Sequence, residues 1–543
     1  MAADTAAPGP TEPSPVPRLD RLSLLPTELL LRITNHLTTA ELCAVRSCSR
    51  TIERSMRHFF LLEYFWRKQF MLTDFSLQTL LAIAQHPLMS QELRHVTIGV
   101  EEFSVGSRSY PDNAEHGVNF WTAAAQQKSL FASGRALQLL AAAFSLLPNL
   151  ETVQLRDFSS RTRSREGPHV AWHSYGLRRT REQLGKTSRS AFRITDDAEF
   201  SSRAFALVMS ALALSNARPE CIEVKMQSKL AGLQYFAFDL TPVPRLSLPG
   251  TSAEKGDGDM LAVLAGLSKL FIKLQFVTAP RVASHLESDD SALSGRSKNA
   301  AMESLPLRAW LAHCPKVEWF RLNLHKEVLN YNDVFLRRLG SPLPDFYPLP
   351  VGSTASRDIT MPFASHLLRF DLGVACCRRD VLLKLLDRFP ALEHLSLFRF
   401  SLVYEWRKEE TPYNVWKFFL DALAQSPLGK RLKSMTLIQV GSAVNYRHHQ
   451  RTQRSHRISW NGQEGIRYIA KSGVTMSAWL RKDLFLTFHR DGFDEEQLID
   501  DESDTPEDWS ESMPELMSED MDINVDTTDE YGPSDEDEED EDD

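Results

Sequence analysis

The sequence predicts an α/β chain in which a short all-helical module precedes a stacked array of helix–strand units, with disordered segments at both ends. Three observations carry this. A leucine-dense stretch over residues 22–58 has helical spacing, an apolar motif recurs eight times between Leu93 and Leu437, and residues 491–543 hold 27 Asp or Glu and no Lys or Arg. The 543 residues are about three times the usual domain size, so two domains, or one domain plus an extended array, fit better than one globule. Hydrophobic residues at 42% and charged residues at 25% are ordinary for a folded chain.

The first segment, residues 1–20, carries five prolines and no apolar run, so it reads as a disordered Pro-rich N-terminus without the features of a secretory signal. The second, residues 21–60, should form three short helices. Pro26 suits the first turn of a helix, where a missing N–H costs nothing, and Leu29, Leu30, Ile33 and Leu37 then share one face. Thr38 and Glu41 form a capping box opening a second helix through Leu42 and Val45, and a third is expected from Ser49 to His58. Three such helices cannot hide this many leucines by themselves, so some must pack on another protein or on the rest of the chain.

The run Leu24-Leu25-Pro26-Thr27-Glu28-Leu29-Leu30-Leu31-Arg32-Ile33, with Leu37, Leu42 and Val45, resembles the F-box in the variety common in large filamentous-fungal F-box proteins. Glu63 to Phe70 and Leu77 to Pro87 look like the continuation those proteins show. One departure is the absence of an aromatic residue around Cys48 to Ile52. The resemblance implies docking to the Skp adaptor of a cullin ubiquitin ligase through Leu25, Pro26, Leu29, Leu30, Ile33, Leu37 and Leu42. Each of these, once buried, would contribute about 1.5–3 kcal/mol of transfer free energy.

Residues 61–440 read as an irregular leucine-rich-repeat-like solenoid that would hold a substrate. The motif apolar-x-x-apolar-x-apolar begins at Leu93, Leu150, Cys221, Leu267, Val317, Leu367, Leu392 and Leu432. Helix-spaced apolar residues precede most copies, and Pro148, Pro219, Pro315 and Pro390 stand two residues before four of them. A helix, a turn and an alternating strand, repeated, stack into a parallel sheet with helices on one side. The intervals are longer than regular repeats allow, which points to insertions at Ser159–Phe200, Thr241–Asp259, Pro280–Leu305 and Asn330–Phe363. Residues 441–490 read as a closing module with a hairpin about Asn461-Gly462, followed by a helix passing into a strand over Ser477–Phe488. Residues 491–543 are the disordered acidic C-terminal tail, since so dense a run of one charge repels itself.

The net charge of −10 conceals opposite regions, because residues 1–490 hold 62 basic against 45 acidic residues and stand at +17. One basic source runs from Arg161, Arg163 and Arg165 through Arg178, Arg179 and Arg181 to Lys186, Arg189 and Arg193. Another joins Arg447, Arg451, Arg454 and Arg457 to His448, His449 and His456. Neither has a recognition helix or an aromatic ladder, so nucleic acid is disfavoured as a partner, and the histidines lack ligand spacing for a metal. The excess of arginine suggests an acidic or phosphorylated target. The longest apolar stretch, Ala136 to Leu147, is too short for a membrane span.

Six scattered cysteines with no C-x-x-C pair suggest a reducing compartment, with cytoplasmic and/or nuclear localisation. Cys43 and Cys48 read as small packing residues and Cys376-Cys377 as a weak nucleophile candidate. Glu101-Glu102 and Asp196-Asp197 read as solvated surface carboxylates, and no phosphate loop, nucleophile elbow or dinucleotide fingerprint is present. No catalytic residue, cofactor or metal is expected. The reading is a non-catalytic substrate-recognition adaptor of a Skp–cullin–F-box ligase, contacting the Skp adaptor, through it a cullin, and an unidentified protein substrate. The alternatives are an F-box scaffold outside any ligase, or a nucleic-acid-associated factor using the basic insertion.

Overall fold

The computed structural model describes residues 22–103, 114–158, 173–184, 198–228, 231–240, 259–275, 302–324, 329–347, 361–405, 412–445, 455–460, 465–469, 476 and 486–489. Helix α1 spans Thr27–Thr34, and Pro26 stands one residue earlier than expected, at the N-cap, its carbonyl accepting from the Leu29 and Leu30 amides. Helix α2, Thr39–Cys48, opens on the anticipated capping box. The Thr38 amide donates to the Glu41 carboxylate at 2.8 Å while Thr38 Oγ1 accepts from the Glu41 amide.

Helix α3 runs over Arg50–Phe65, two turns beyond the expected His58, because apolar residues continue at helical spacing. Ile52, Met56, Phe60 and Tyr64 form one buried face four residues apart. The aromatics missing near Cys48 are supplied further along. Phe60 and Tyr64 have ring centroids 4.5 Å apart, and the Arg46 guanidinium sits 3.2 Å over the Phe60 ring. The boundary expected at residue 60 therefore falls inside a continuous helix, which leads directly into the sheet.

That sheet has ten strands in the order β1 (Arg67–Met71), β2 (His95–Gly99), β3 (Thr152–Arg156), β4 (Cys221–Lys225), β5 (Lys269–Lys273), β6 (Trp319–Asn323), β7 (Arg369–Gly373), β9 (His394–Phe398), β11 (Ser434–Ile438) and β14 (Gly465–Ile469). All neighbours pair in parallel except β14, which runs antiparallel to β11. Between the strands lie α4 (Asp74–Gln85), α5 (Met89–Glu92), α6 (Ala114–Ala132), α7 (Arg135–Ser145), α8 (Leu177–Leu184), α9 (Ala198–Ser215), α10 (Met260–Gly266) and α11, residues 302–311. Then follow α12 (Leu329–Leu339), α13 (Arg379–Leu386), α14 (Pro412–Gln425) and α15 (Pro427–Arg431). The body is solenoid-like, with a parallel-strand sheet and helices packed on one face of it.

In β2 to β7, β9 and β11 the second and fourth residues enter the shared core, as in Val96 and Ile98, Phe320 and Leu322, or Leu395 and Leu397, all at most 1% exposed. Two corrections follow from the register. Strand β1 was not anticipated, because Lys68 occupies the position of Val96 and breaks the apolar pattern. It is tolerated because its stem lies buried and its ammonium stands 5.0 Å over the Phe65 ring. In the third expected unit, Ile222 and Val224 take the inward pair of strand positions, two residues earlier than the expected Val224 and Met226, since Cys221 pairs with Thr152 and Ile222 with Val153. Pro219, read as the residue preceding the motif, occupies the motif's own first position and is buried there.

A second sheet of five strands has the order β15 (Leu486–His489), β13 (Ser455–Trp460), β12 (Gly441–Asn445), β10 (Ser401–Glu405) and β8 (Cys376–Arg378). Strands β8, β10 and β12 continue from β7, β9 and β11 through three equivalent corners. Val374, Arg399 and Gln439, each one residue past a main-sheet strand, adopt φ values of 49°, 45° and 49°. Arg399 Nε donates to Gln439 Oε1 at 2.9 Å, tying two corners together. The expected boundary at residue 440 thus cuts a corner, and β12 belongs to the array.

Asn461-Gly462 lie outside the described residues, but the strands on either side, β13 and β14, do not pair with each other as the expected hairpin requires. Strand β13 pairs antiparallel with β12 and β15, whereas β14 pairs with β11 in the other sheet. At the C-terminal end of the array both sheets would expose an unpaired edge, β11 in one and β12 in the other, and β14 and β13 separate to cover one edge apiece. The helix expected to begin at Ser477 lies outside the described residues as far as 485, while β15 supplies the expected strand.

Candidate functional site

The F-box-like helices divide the expected contact residues between two roles. Leu29 and Ile33 are each 45% exposed, Pro26 is exposed, and Leu25 and Leu37 are half-buried. Leu30 and Leu42, at 2% and 0%, are enclosed within the chain, and Leu42 shares the main core with Ile52, Met56 and Phe60. The shared helical face predicted for Leu29, Leu30, Ile33 and Leu37 could not separate them, because α1 is half-embedded and its buried edge runs through Leu30. Leu24, at 72% the most exposed large apolar residue described, joins Leu29 and Ile33 as unpartnered apolar surface.

The face of the main sheet opposite the helices carries the first, third and fifth residues of β1 to β7, β9 and β11. Across β1 to β4 these side chains form a buried polar ladder. Arg67 Nη2 and Thr97 Oγ1 both donate to Gln154 Oε1, at 3.0 and 3.1 Å, and Gln154 Nε2 donates to Glu223 Oε2 at 2.6 Å. Burial alone would raise the Glu223 pKa, but Lys225, Arg67 and Arg321 outweigh it and hold the carboxyl below its ordinary value. His95, in the same ladder, is pushed well below the usual imidazole range by burial and by the nearby Arg67, Lys225 and Arg156 cations, so it stays neutral.

Strands β5 to β7 present a more open cluster. Asp371 accepts from the Trp319 indole N–H at 2.8 Å, from Arg321 at 3.1 Å and from Arg369 at 3.2 Å. The Arg369 guanidinium lies 3.9 Å over the Trp319 ring, Arg321 lies 4.8 Å over Phe271, and the two rings meet edge to face at 4.7 Å. Trp319, Arg321 and Arg369 remain half-buried and reachable from solvent. Planar cations on aromatic rings, held by one carboxylate, form a rigid surface suited to carboxylates or phosphates. Sequence reading missed this cluster, although all four polar residues stand at the intervening positions of the motifs that begin at Val317 and Leu367.

The carboxylates read as solvated behave differently where they are described. Glu101 is 4% exposed and accepts a hydrogen bond from Ser174 Oγ, which in turn accepts from Gln69 Nε2 at 2.7 Å. Burial raises its pKa to about 7, against the opposing Ser174 bond. The folded chain therefore keeps a proton that the unfolded chain releases from about pH 4.5. Stability from this group is greatest below that pH and falls until about pH 7, a loss on the order of 3 kcal/mol. Glu101→Gln, which mimics the protonated carboxyl, should raise the denaturation midpoint at pH 8 and leave it unchanged at pH 4. Equal shifts at both pH values would refute this account. Asp196 and Asp197 lie outside the described residues.

Cys376 and Cys377 are buried on β8, and burial pushes the Cys377 thiol well above its ordinary pKa, which disfavours the nucleophilic thiolate. Cys43 packs against the core as expected, whereas Cys48 is exposed. Among the described residues no group of His, Cys, Asp and Glu could hold a metal ion, and no helix is long and apolar enough to cross a membrane. Of the basic insertion, Arg178, Arg179 and Arg181 stand on α8. Arg161, Arg163, Arg165, Lys186, Arg189 and Arg193 lie outside the described residues, as do Arg447, Arg451, Arg454, His448 and His449.

Compared with known proteins, no curated sequence matches the chain. Among solved structures, the crystal structure of a Rad7 and Elc1 complex in yeast aligns over 80% of this chain and 91% of that one, at 8% identity and a TM-score of 0.21. Residues 22–62 match the F-box domain, so an F-box domain opens the described part of the chain.

Proposed function

We propose that the chain is the substrate-recognition subunit of a Skp–cullin–F-box ubiquitin ligase, acting without catalytic residues of its own. The observation that carries this reading is the exposed apolar strip of Leu24, Leu29 and Ile33 on an F-box domain whose Leu30 and Leu42 are enclosed in the chain's own core. Pro26, Leu29 and Ile33, with the half-buried Leu25 and Leu37, contact the Skp adaptor, which brings the cullin. The leucine-rich-repeat-like body, fused to the F-box through α3, holds a protein substrate on its open sheet face in the cytoplasm or nucleus. Rate enhancement on this reading is positional, since a held substrate lysine meets the ubiquitin carrier at raised local concentration.

The test is affinity purification of the full-length chain beside a Leu25→Ala, Pro26→Ala double variant, with mass spectrometry of the co-purifying proteins. The Skp adaptor and a cullin should accompany the unaltered chain and be lost from the variant. Adaptor without cullin would favour a scaffold outside the ligase. Recovery of neither would end the reading.

A further inference from the structure

We propose that Arg308, Arg338 and Arg388 form a binding site for a phosphate ion around the turn that ends α12. The three arginines come from three successive helices and converge on residues 340–342. Arg308, on α11 and only 3% exposed, donates through Nη2 to the Ser341 carbonyl at 2.7 Å and to the Pro342 carbonyl. Arg388, half-buried just beyond α13, lies against Gly340, where an added Cβ would stand 2.9 Å from its Cζ. Arg338, in the last turn of α12 directly before this turn, is exposed.

The cluster lacks a counter-charge and acceptors. Among the described residues no carboxylate forms an ion pair with any of the three: Asp380 is taken by Arg337 at 3.7 Å, and Asp387, beside Arg388, stands exposed at the C-cap of α13. Burial, with the Arg338 and Arg388 cations, lowers the Arg308 pKa to about 10, which still leaves it charged at neutral pH. Nε of Arg308 and Nη1 of Arg388 are both buried without an acceptor. The carbonyls ending a helix supply only about half an elementary charge, too little to balance three guanidiniums. Buried cations and donors left in this state are costly, and one oxyanion relieves both deficits together. A planar carboxylate matches the fork of a single guanidinium, whereas a tetrahedral phosphate accepts from several directions at once, as convergence from three helices requires. With Arg308 enclosed and Arg338 alone exposed, the site admits a small ion in preference to a chain. Once bound, the ion ties three successive units of the array together.

Equilibrium dialysis of the full-length chain against radiolabelled inorganic phosphate, in chloride at about physiological ionic strength, should show saturable binding of about one ion per chain. Near saturation, phosphate should raise the thermal unfolding midpoint by about 2–4 °C beyond chloride of equal ionic strength. Arg338→Gln and Arg388→Gln should each weaken phosphate binding by about tenfold, since each removes a charge-assisted hydrogen bond. The exposed Arg338 is replaced without disturbing the core, so this variant remains readable even if Arg388→Gln unfolds. Lys128→Gln on α6, which removes the same charge from an exposed position elsewhere, should bind phosphate as the unaltered chain does. Absence of saturable binding, an equal midpoint rise in chloride, or an affinity unchanged in Arg338→Gln would each overturn the proposal, the last by placing the ion elsewhere on the basic body. None of these readouts depends on the adaptor role.

Discussion

Trp310→Ala is expected to lower the unfolding free energy of the body by about 3–5 kcal/mol, the usual cost of deleting a fully enclosed aromatic side chain. Trp310 stands 1% exposed on α11, with ring centroids 6.3 Å from Phe205 on α9 and 5.9 Å from Phe238 in the turn before the next unit. It therefore joins three successive parts of the array rather than filling one. In a stack whose units contact only their neighbours, a weakened junction should divide one cooperative transition into two. Denaturant unfolding followed by circular dichroism should show an earlier midpoint and a second phase. Trp121→Ala on α6, where the side chain is 45% exposed, is the matched control and should shift stability by under about 0.5 kcal/mol. Similar curves for the two variants would show that Trp310 is not a junction.

The alternation of helix and strand was legible because it rests on local spacing. The motifs at Leu93, Leu150, Leu267, Val317, Leu367, Leu392 and Leu432 all lead into strands in the expected register. What local spacing cannot carry is competition between distant edges. The Asn461-Gly462 turn signal is sound in isolation, yet β13 and β14 go to different sheets because both terminal edges require a partner. Lys68 and Pro219 show a related limit, since each stands at an apolar position of the repeat and is accommodated by its neighbours rather than by its own type. The expected contact residues on α1 share one helical face in the sequence, but which of them face solvent depends on where α3 and the body cover the helix. Glu101 is the plainest case of this. Beside Glu102 in sequence it reads as a surface acid, and only the packing of Ser174 and Gln69 against it reveals burial.

Leu29 and Leu30 are adjacent and chemically identical, so the pair separates binding from folding. Leu30→Ala removes a side chain 2% exposed and should cost the F-box helices about 2–5 kcal/mol, read as loss of helix signal and increased proteolysis near α1. Leu29→Ala removes one 45% exposed and should leave folding within about 0.5 kcal/mol of the unaltered chain. Its effect should fall on adaptor affinity instead. A leucine that becomes fully buried on association contributes about 1.5–3 kcal/mol, so Leu29→Ala should weaken binding of purified Skp adaptor by about 10- to 100-fold. Calorimetric titration beside a melting curve for each variant distinguishes the two effects. A stably folded Leu29→Ala chain that binds the adaptor unimpaired would mean that this face of α1 is not the docking surface. A Leu29→Ala chain as unstable as Leu30→Ala would mean that the strip is covered within the protein itself, and the exposed leucines would then lose their role as the link to a ligase.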